Sequence, residues 1–183
     1  MNTKFIEENI KYTGKELAPH WIYKKFNLQG DSIVAFCGEC DVELKEMVDI
    51  EDIINDEPIY SKLMLNFIAE IFNINLIEGI LLQRLLIIVI KEVLEENSVS
   101  VIRKGDDLFV NGKKLSVSIA TKSLTSVLIH TGININPQGA PVDAIGLSSL
   151  GIANVRGFAE NIMIRYCKEI KNIQLASTKV SGR

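Results

Sequence analysis

Hydrophobic patterning is weak at the start of the chain and strong from residue 63 onward. Leu63 to Phe72 is dense in aromatic and other apolar residues and reads as a strand, with a short helix as the alternative. Glu78 to Glu96 predicts a helix. Ile80, Leu81, Leu85, Ile88, Val89 and their neighbours cover most of its circumference, the pattern of a helix largely buried against a sheet. Gln83 and Arg84 interrupt that pattern. They read either as rim positions or, for Arg84, as a contact to an anionic ligand.

Strand patterns follow in quick succession. Val99–Ile102 predicts a strand, Asp107–Val110 a second, and Lys114–Thr121 a third. Asn111-Gly112 lies between the last two. It is a strong hairpin signal, because a type I′ turn needs positive φ at both central residues. Val127–His130 begins a fourth strand that continues through Gly132-Ile133-Asn134-Ile135, and Asn136-Pro137-Gln138-Gly139 turns the chain. Asn161–Ile173 is a final amphipathic helix, with Ile162, Ile164, Tyr166, Cys167 and Ile170 among its apolar positions. Upstream, Ser32–Phe36 reads as a strand ending at Cys37-Gly38. Asp41–Val48 reads as a helix capped by Asp41, and Asp56-Glu57-Pro58 as a break. The whole predicts a single α+β domain over residues 1–183, built on a mostly antiparallel or mixed sheet with packing helices.

Composition narrows the function classes. A chain of 183 residues with 47% hydrophobic content can build a core without staples. The net charge of −3 lacks the basic excess that neutralises phosphates, so no nucleic-acid partner is expected. No apolar run reaches bilayer length, and Met1 to Lys11 has no apolar segment of the signal-peptide kind, so a cytoplasmic protein without a membrane partner is expected. Three cysteines are too few for a disulfide scaffold. Cys37-Gly38-Glu39-Cys40 reads as packing residues, with half a zinc site or a redox pair as the alternative. Zinc would have to recruit further ligands from His20, His130 and Cys167, and no metal is expected.

The candidate chemistry sits around the hairpin. The text runs Ile102-Arg103-Lys104-Gly105-Asp106-Asp107, then Leu108 to Gly112, then Lys113-Lys114-Leu115, with His130-Thr131-Gly132-Ile133-Asn134 downstream. Ser116 and Ser118 are two apart on one strand, so their hydroxyls point the same way and are candidates for lining one pocket. His130 reads as a satisfied sheet residue, with a base as the alternative.

This order of buried helix, strand, charged turn, Asn-Gly hairpin and Gly-Ile-Asn strand resembles the catalytic domain of the biotin/lipoate protein ligases. The likeness covers roughly residues 63 to 140, with the spacing from Asp107 to Lys114 kept. The whole chain also resembles an archaeal domain-of-unknown-function family that shares the Gly-Asp-Asp and Lys-Leu-Ser-Val-Ser-Ile-Ala-Thr runs. The resemblance implies that Lys114 contacts a substrate carboxylate and that Asp107 orients the lysine or a ribose. It implies that Gly132 and Asn134 lie on a strand whose backbone passes close to the ligand. Arg84, Arg103 and Lys104 become secondary anion contacts, with Gly105, Asp106, Ser116, Ser118 and His130 beside them. It implies a small-molecule ligand with an anionic group, ATP as the cofactor of acid activation, and pairing of sheets into a homodimer.

Three departures keep a second reading open. Met1 to Leu63 holds no Gly- and Arg-rich phosphate loop, and Lys104-Gly105 replaces the family's Trp-Pro. Val142 stands where the related octanoyl transferases carry a cysteine nucleophile, which excludes a thioacyl route at that position. The chain is therefore expected to be either an ATP-dependent acyl-activating ligase or transferase, or a non-catalytic ligand-binding or interaction protein that kept the fold.

Overall fold

A computed structural model describes residues 1–182. Two sheets organise them. β1 (Asn2–Ile6), β2 (Ser32–Val42), β3 (Ile59–Phe72), β8 (Ser126–Asn136) and β7 (Ser116–Lys122) form a five-stranded sheet in that order. β1 pairs with β2 in parallel and every other neighbour is antiparallel, so the sheet is mixed. β4 (Ile102–Lys104), β5 (Asp107–Val110) and β6 (Lys113–Lys114) form a small antiparallel sheet. The connecting helices are α1 (Trp21–Phe26), α2 (Ile50–Asn55), α3 (Leu76–Glu96) and α4 (Val155–Ser177).

The period-2 alternation of the strands sorts the core into two layers. Leu65, Phe67 and Ala69 of β3, with Ile129 and Ile133 of β8, face α3 and α4 and build the larger cluster. Met64 and Ile68 of β3, with Val34 and Phe36 of β2, face the other way, under the segment that carries Ile10, Tyr12 and α1. The candidate cleft lies on this second face.

The hairpin forms as its sequence dictates. Asn111 and Gly112 take φ of 52° and 79°, the positive values that an Asn-Gly turn supplies at low strain. α3 starts two residues earlier than the periodicity shows, because Asn75 and Glu78 make a reciprocal capping box.

Several expectations are corrected. Asp41 caps no helix: Asp41 and Val42 extend β2, Leu44–Glu46 is a single 3-10 turn, and Asp49 caps α2, its Oδ1 accepting from Glu51 N. Val99 and Val101 are buried in the core ahead of β4, which begins only at Ile102. The expected strand from Lys114 to Thr121 is broken at Leu115, where the chain crosses from the small sheet to the large one. α3 is less buried than its composition suggests, with Ile77 72% and Leu81 64% exposed, whereas Gln83 is 3% exposed. α4 runs well beyond both expected ends, and Ile164 faces outward. Cys37 packs into the larger cluster and Cys40 into the smaller one on the opposite sheet face, so the two thiols do not converge. Among the described residues no group of His, Cys, Asp and Glu is arranged to hold a metal, and no helix is long and apolar enough to cross a membrane.

Gly38 permits a close approach of two backbone segments. Ile10 N donates to Cys37 O at 3.0 Å and Tyr12 N to Glu39 O at 2.8 Å, so the N-terminal segment lies directly on β2. A Cβ at residue 38 would sit 1.8 Å from the backbone oxygen of Ile10. We expect Gly38→Ala to lower unfolding free energy by about 3 kcal/mol in chemical denaturation, since backbone must move to admit the methyl group.

Candidate functional site

Lys114 is placed by backbone hydrogen bonds on both sides. Its pairing with Phe109 closes the hairpin, its N–H donates to Asp143 O at 2.9 Å, and its carbonyl accepts from Ile145 N at 3.0 Å. The next residues lock the hairpin to the large sheet. Leu115 N donates to Leu108 O at 2.8 Å, Leu108 N donates to Ser116 Oγ at 2.9 Å, and Asn134 N donates to Leu115 O at 2.9 Å. Leu108 and Leu115 are fully buried, so this junction is held by apolar burial as well as by hydrogen bonds.

Below that junction is a cleft of about 560 Å³, within the usual size range of small-molecule sites. Its floor is the open face of the large sheet: Met64, Val117, Ile119, His130 and Asn134. Tyr12 and Leu17 wall one side, and the loop carrying Ala140, Pro141 and Val142 walls another. Lys114 Nζ lies 3.0 Å from Asp107 Oδ2, and both side chains are about a third exposed on the cleft. Burial pushes the Asp107 carboxyl above its ordinary value, and the charge and hydrogen bond of Lys114 partly offset that rise.

Asp106 connects this pair to the helical face. Its Oδ1 lies 2.7 Å from Arg84 Nη1, and its Oδ2 accepts from Gln83 Nε2 at 2.9 Å. Gln83 Nε2 also reaches Ser118 Oγ at 3.0 Å, and that hydroxyl contacts His130 O and Thr131 Oγ1. The two residues that interrupt the apolar pattern of α3 therefore hold the hairpin acid.

His130 stacks on Tyr12, with ring centroids 3.8 Å apart and planes 11° from parallel. Its Nε2 is 3.0 Å from Asn66 Oδ1. Asn66 Nδ2 donates to Met64 O, so Oδ1 accepts and Nε2 carries the proton. Burial lowers the His130 pKa to about 3, and the ring is neutral at physiological pH.

The expected residues are not all gathered here. Lys114, Asp107, Asp106, Ser118, His130 and Asn134 line the cleft, and Arg84 stands behind Asp106. Ser116 points to the helical face and caps Leu108 N, because odd-numbered residues of β7 face the cleft. Gly132 faces the cleft side, but a Cβ there would meet Met64 Sδ at 2.2 Å, so side-chain packing and not ligand approach requires the glycine. Arg103 turns back to donate to Gly105 O, Lys104 lies over the Phe109 ring, and Gly105 packs against Arg84. All three are outside the lining.

Sequence reasoning missed the opposite wall. Glu46, Asp49, Glu51, Asp52, Asp56 and Glu57, from the segment between β2 and β3, line the mouth. With Asp106 and Asp107 they outnumber Lys114, the one cationic side chain among the described lining residues. Burial and the nearby Asp49 push the Asp52 carboxyl up, and Lys114 draws it back. Tyr12 was missed as well, since nothing in the local pattern marks it.

A family model described as Domain of unknown function (DUF366) matches residues 1–181. Uncharacterized protein MJ0805 of Methanocaldococcus jannaschii is 42% identical over 180 residues, covering 95% of this chain and 81% of that protein. A solved protein of unknown function from Pyrococcus horikoshi superposes with a TM-score of 0.94 and 39% identity, covering 100% of this chain and 98% of the other. Biotin protein ligase from Aquifex aeolicus, in complex with biotin and ATP, superposes with a TM-score of 0.60 and 17% identity, covering 93% and 70%. Lipoate-protein ligase A bound with ATP gives 0.59 and 14%, covering 92% and 85%. At such identities the two ligases establish the fold alone, and that fold is the one the hairpin text resembles.

His130 supplies a pH prediction. A histidine whose folded pKa is depressed stabilises the fold fully above its unfolded value near 6.5, and that contribution is lost as pH falls toward about 3. Between those limits, the stability difference between the wild-type chain and His130→Gln should change by up to about 1.4 kcal/mol per pH unit in favour of the variant as pH falls. Parallel denaturation curves at every pH would contradict this burial of a neutral ring.

Proposed function

The chain belongs to the DUF366 family, and we propose that its cleft binds a small carboxylic acid with an apolar body, the carboxylate resting on Lys114. The observation that carries this reading is the Lys114–Asp107 pair at the edge of an apolar floor. An ammonium has three N–H donors, and Asp107 accounts for one contact. Two remain for a carboxylate, while Met64, Val117 and Ile119 offer apolar surface to a hydrocarbon body. The fold shared with ligases described in complex with biotin or ATP supports a small-molecule role for this face.

The lining does not fit a triphosphate. Phosphate sites converge backbone N–H groups or several cations on the anion. Here one ammonium faces eight carboxylates, and Arg84 is engaged by Asp106. This favours a binding protein that retains the ligase fold over an ATP-dependent activating enzyme.

Octanoate, lipoate or biotin should raise the melting temperature of the full chain in a concentration-dependent way. At a ligand concentration one hundred times the dissociation constant, the stabilisation should reach about 2.7 kcal/mol. Lys114→Gln should abolish the shift, whereas Lys113→Gln, altering an exposed lysine paired with Asp143, should retain it. ATP should give no shift. A flat response to every acid, or an equal response in Lys114→Gln, would remove the carboxylate reading.

A further inference from the structure

The cleft carries far more negative charge than a simple carboxylate ligand can use. A monoanion entering it gains Lys114 but meets the field of Asp52, Asp107 and Glu57. These acids do not converge on a point: among the described residues none are grouped as metal ligands. A diffuse acidic wall suits an organic cation, whose several N–H donors can be shared among separate carboxylates.

A second observation is independent of the acids. Tyr12 is 3% exposed and lines the cleft, and its hydroxyl has no hydrogen-bond partner among the described residues. Burial, with Cys40 and Glu16 nearby, pushes that phenol well above its ordinary value, so it remains neutral and keeps both a donor and an acceptor. The Tyr12 side chain is buried, but its hydroxyl is not among the buried unpaired atoms, so it stays reachable by a polar ligand atom in the cleft.

The spacing of the charged pair narrows the ligand further. Lys114 Nζ and Asp107 Oδ2 are 3.0 Å apart, and they present an ammonium and a carboxylate side by side on one wall. The complement of such a wall is a ligand whose carboxylate and ammonium are also side by side, as when both are attached to one carbon. Meeting it, the zwitterion can pair its carboxylate with Lys114 and its ammonium with Asp107 and Asp52, leaving the apolar floor for its side chain.

We propose that the ligand class is an α-amino acid with an apolar side chain, read by Lys114 at its carboxylate and by Asp107, Asp52 and the Tyr12 hydroxyl at its ammonium end. This rests on the carboxylate reading above and adds the ammonium to it.

Three probes of matched length separate the possibilities: octanoate, 2-aminooctanoate and heptylamine, titrated calorimetrically into the full chain. The expected result is that 2-aminooctanoate binds about tenfold more tightly than octanoate, the effect of one added charge-assisted contact. Asp52→Asn, on the exposed helix α2, should remove that advantage, and because it takes a negative charge from the cleft it should leave octanoate bound at least as tightly as in the wild-type chain. Tyr12→Phe should reduce the advantage in part, and circular dichroism of each variant checks that it is folded. If octanoate binds as tightly as its amino derivative and loses affinity in Lys114→Gln, the ammonium inference is overturned while the carboxylate reading stands. If neither acid binds, both fall. If heptylamine matches 2-aminooctanoate and is indifferent to Lys114→Gln, the ligand is a simple amine, and both readings are overturned.

Discussion

The crossing at Leu115 is the constraint on which the rest depends. There the chain leaves a small hairpin sheet and joins the edge of the large one, and backbone geometry allows little freedom in how it does so. Leu108 is bonded through both its N–H and its carbonyl, to Ser116 Oγ and Leu115 N, and Leu115 O accepts from Asn134 N. Both leucines are fully buried. Sliding the hairpin by one residue would expose them and break all three hydrogen bonds at once. Lys114 and Asp107 stand one residue before Leu115 and Leu108, so the junction also fixes their side chains over the cleft and beside each other.

Charge is the second organising feature. The junction supplies one cation to the cleft, and the segment between β2 and β3 supplies a wall of acids. Most of the surrounding basic side chains are engaged elsewhere: Arg84 with Asp106, Lys113 with Asp143, and Lys104 over Phe109. The fold is that of biotin and lipoate protein ligases, but the electrostatic character of this cleft is not that of a phosphate-binding site. A shared backbone and a changed charge distribution are compatible, because the fold is set by buried apolar faces and the ligand by a few groups at the rim.

Much of the hairpin was legible in the sequence because its signals are local. Asn111-Gly112 needs no tertiary information to specify its turn, and the Asp107 to Lys114 spacing follows from it. Ser116 was misplaced for a different reason. Alternation shows that Ser116 and Ser118 share a face but not which face the helices cover: Ser116 caps Leu108 N on the helical side, and Ser118 borders the cleft while its hydroxyl accepts from Gln83 of α3. Gly132 was misread because a close approach has the same sequence signature whether its partner is a ligand or Met64. Asp41 looked like a cap because an acid precedes helical spacing there, but it continues β2, and the capping carboxylate is that of Asp49 ahead of α2. The N-terminal wall has no periodicity to read, so Tyr12 becomes visible only when segment 10–12 is seen lying over Gly38 and stacking on His130.

The central claim is that the Lys114 ammonium meets a ligand carboxylate inside this cleft. The most direct measurement follows the side-chain resonance of Lys114 in lysine-labelled protein, assigned by its loss in Lys114→Gln, during titration with octanoate. The account predicts a saturable shift of that resonance, with the exposed lysines unmoved. A Lys114 signal that stays fixed while resonances of Met64 or Ile119 move would place the ligand in the cleft without its proposed anchor, and would contradict the account.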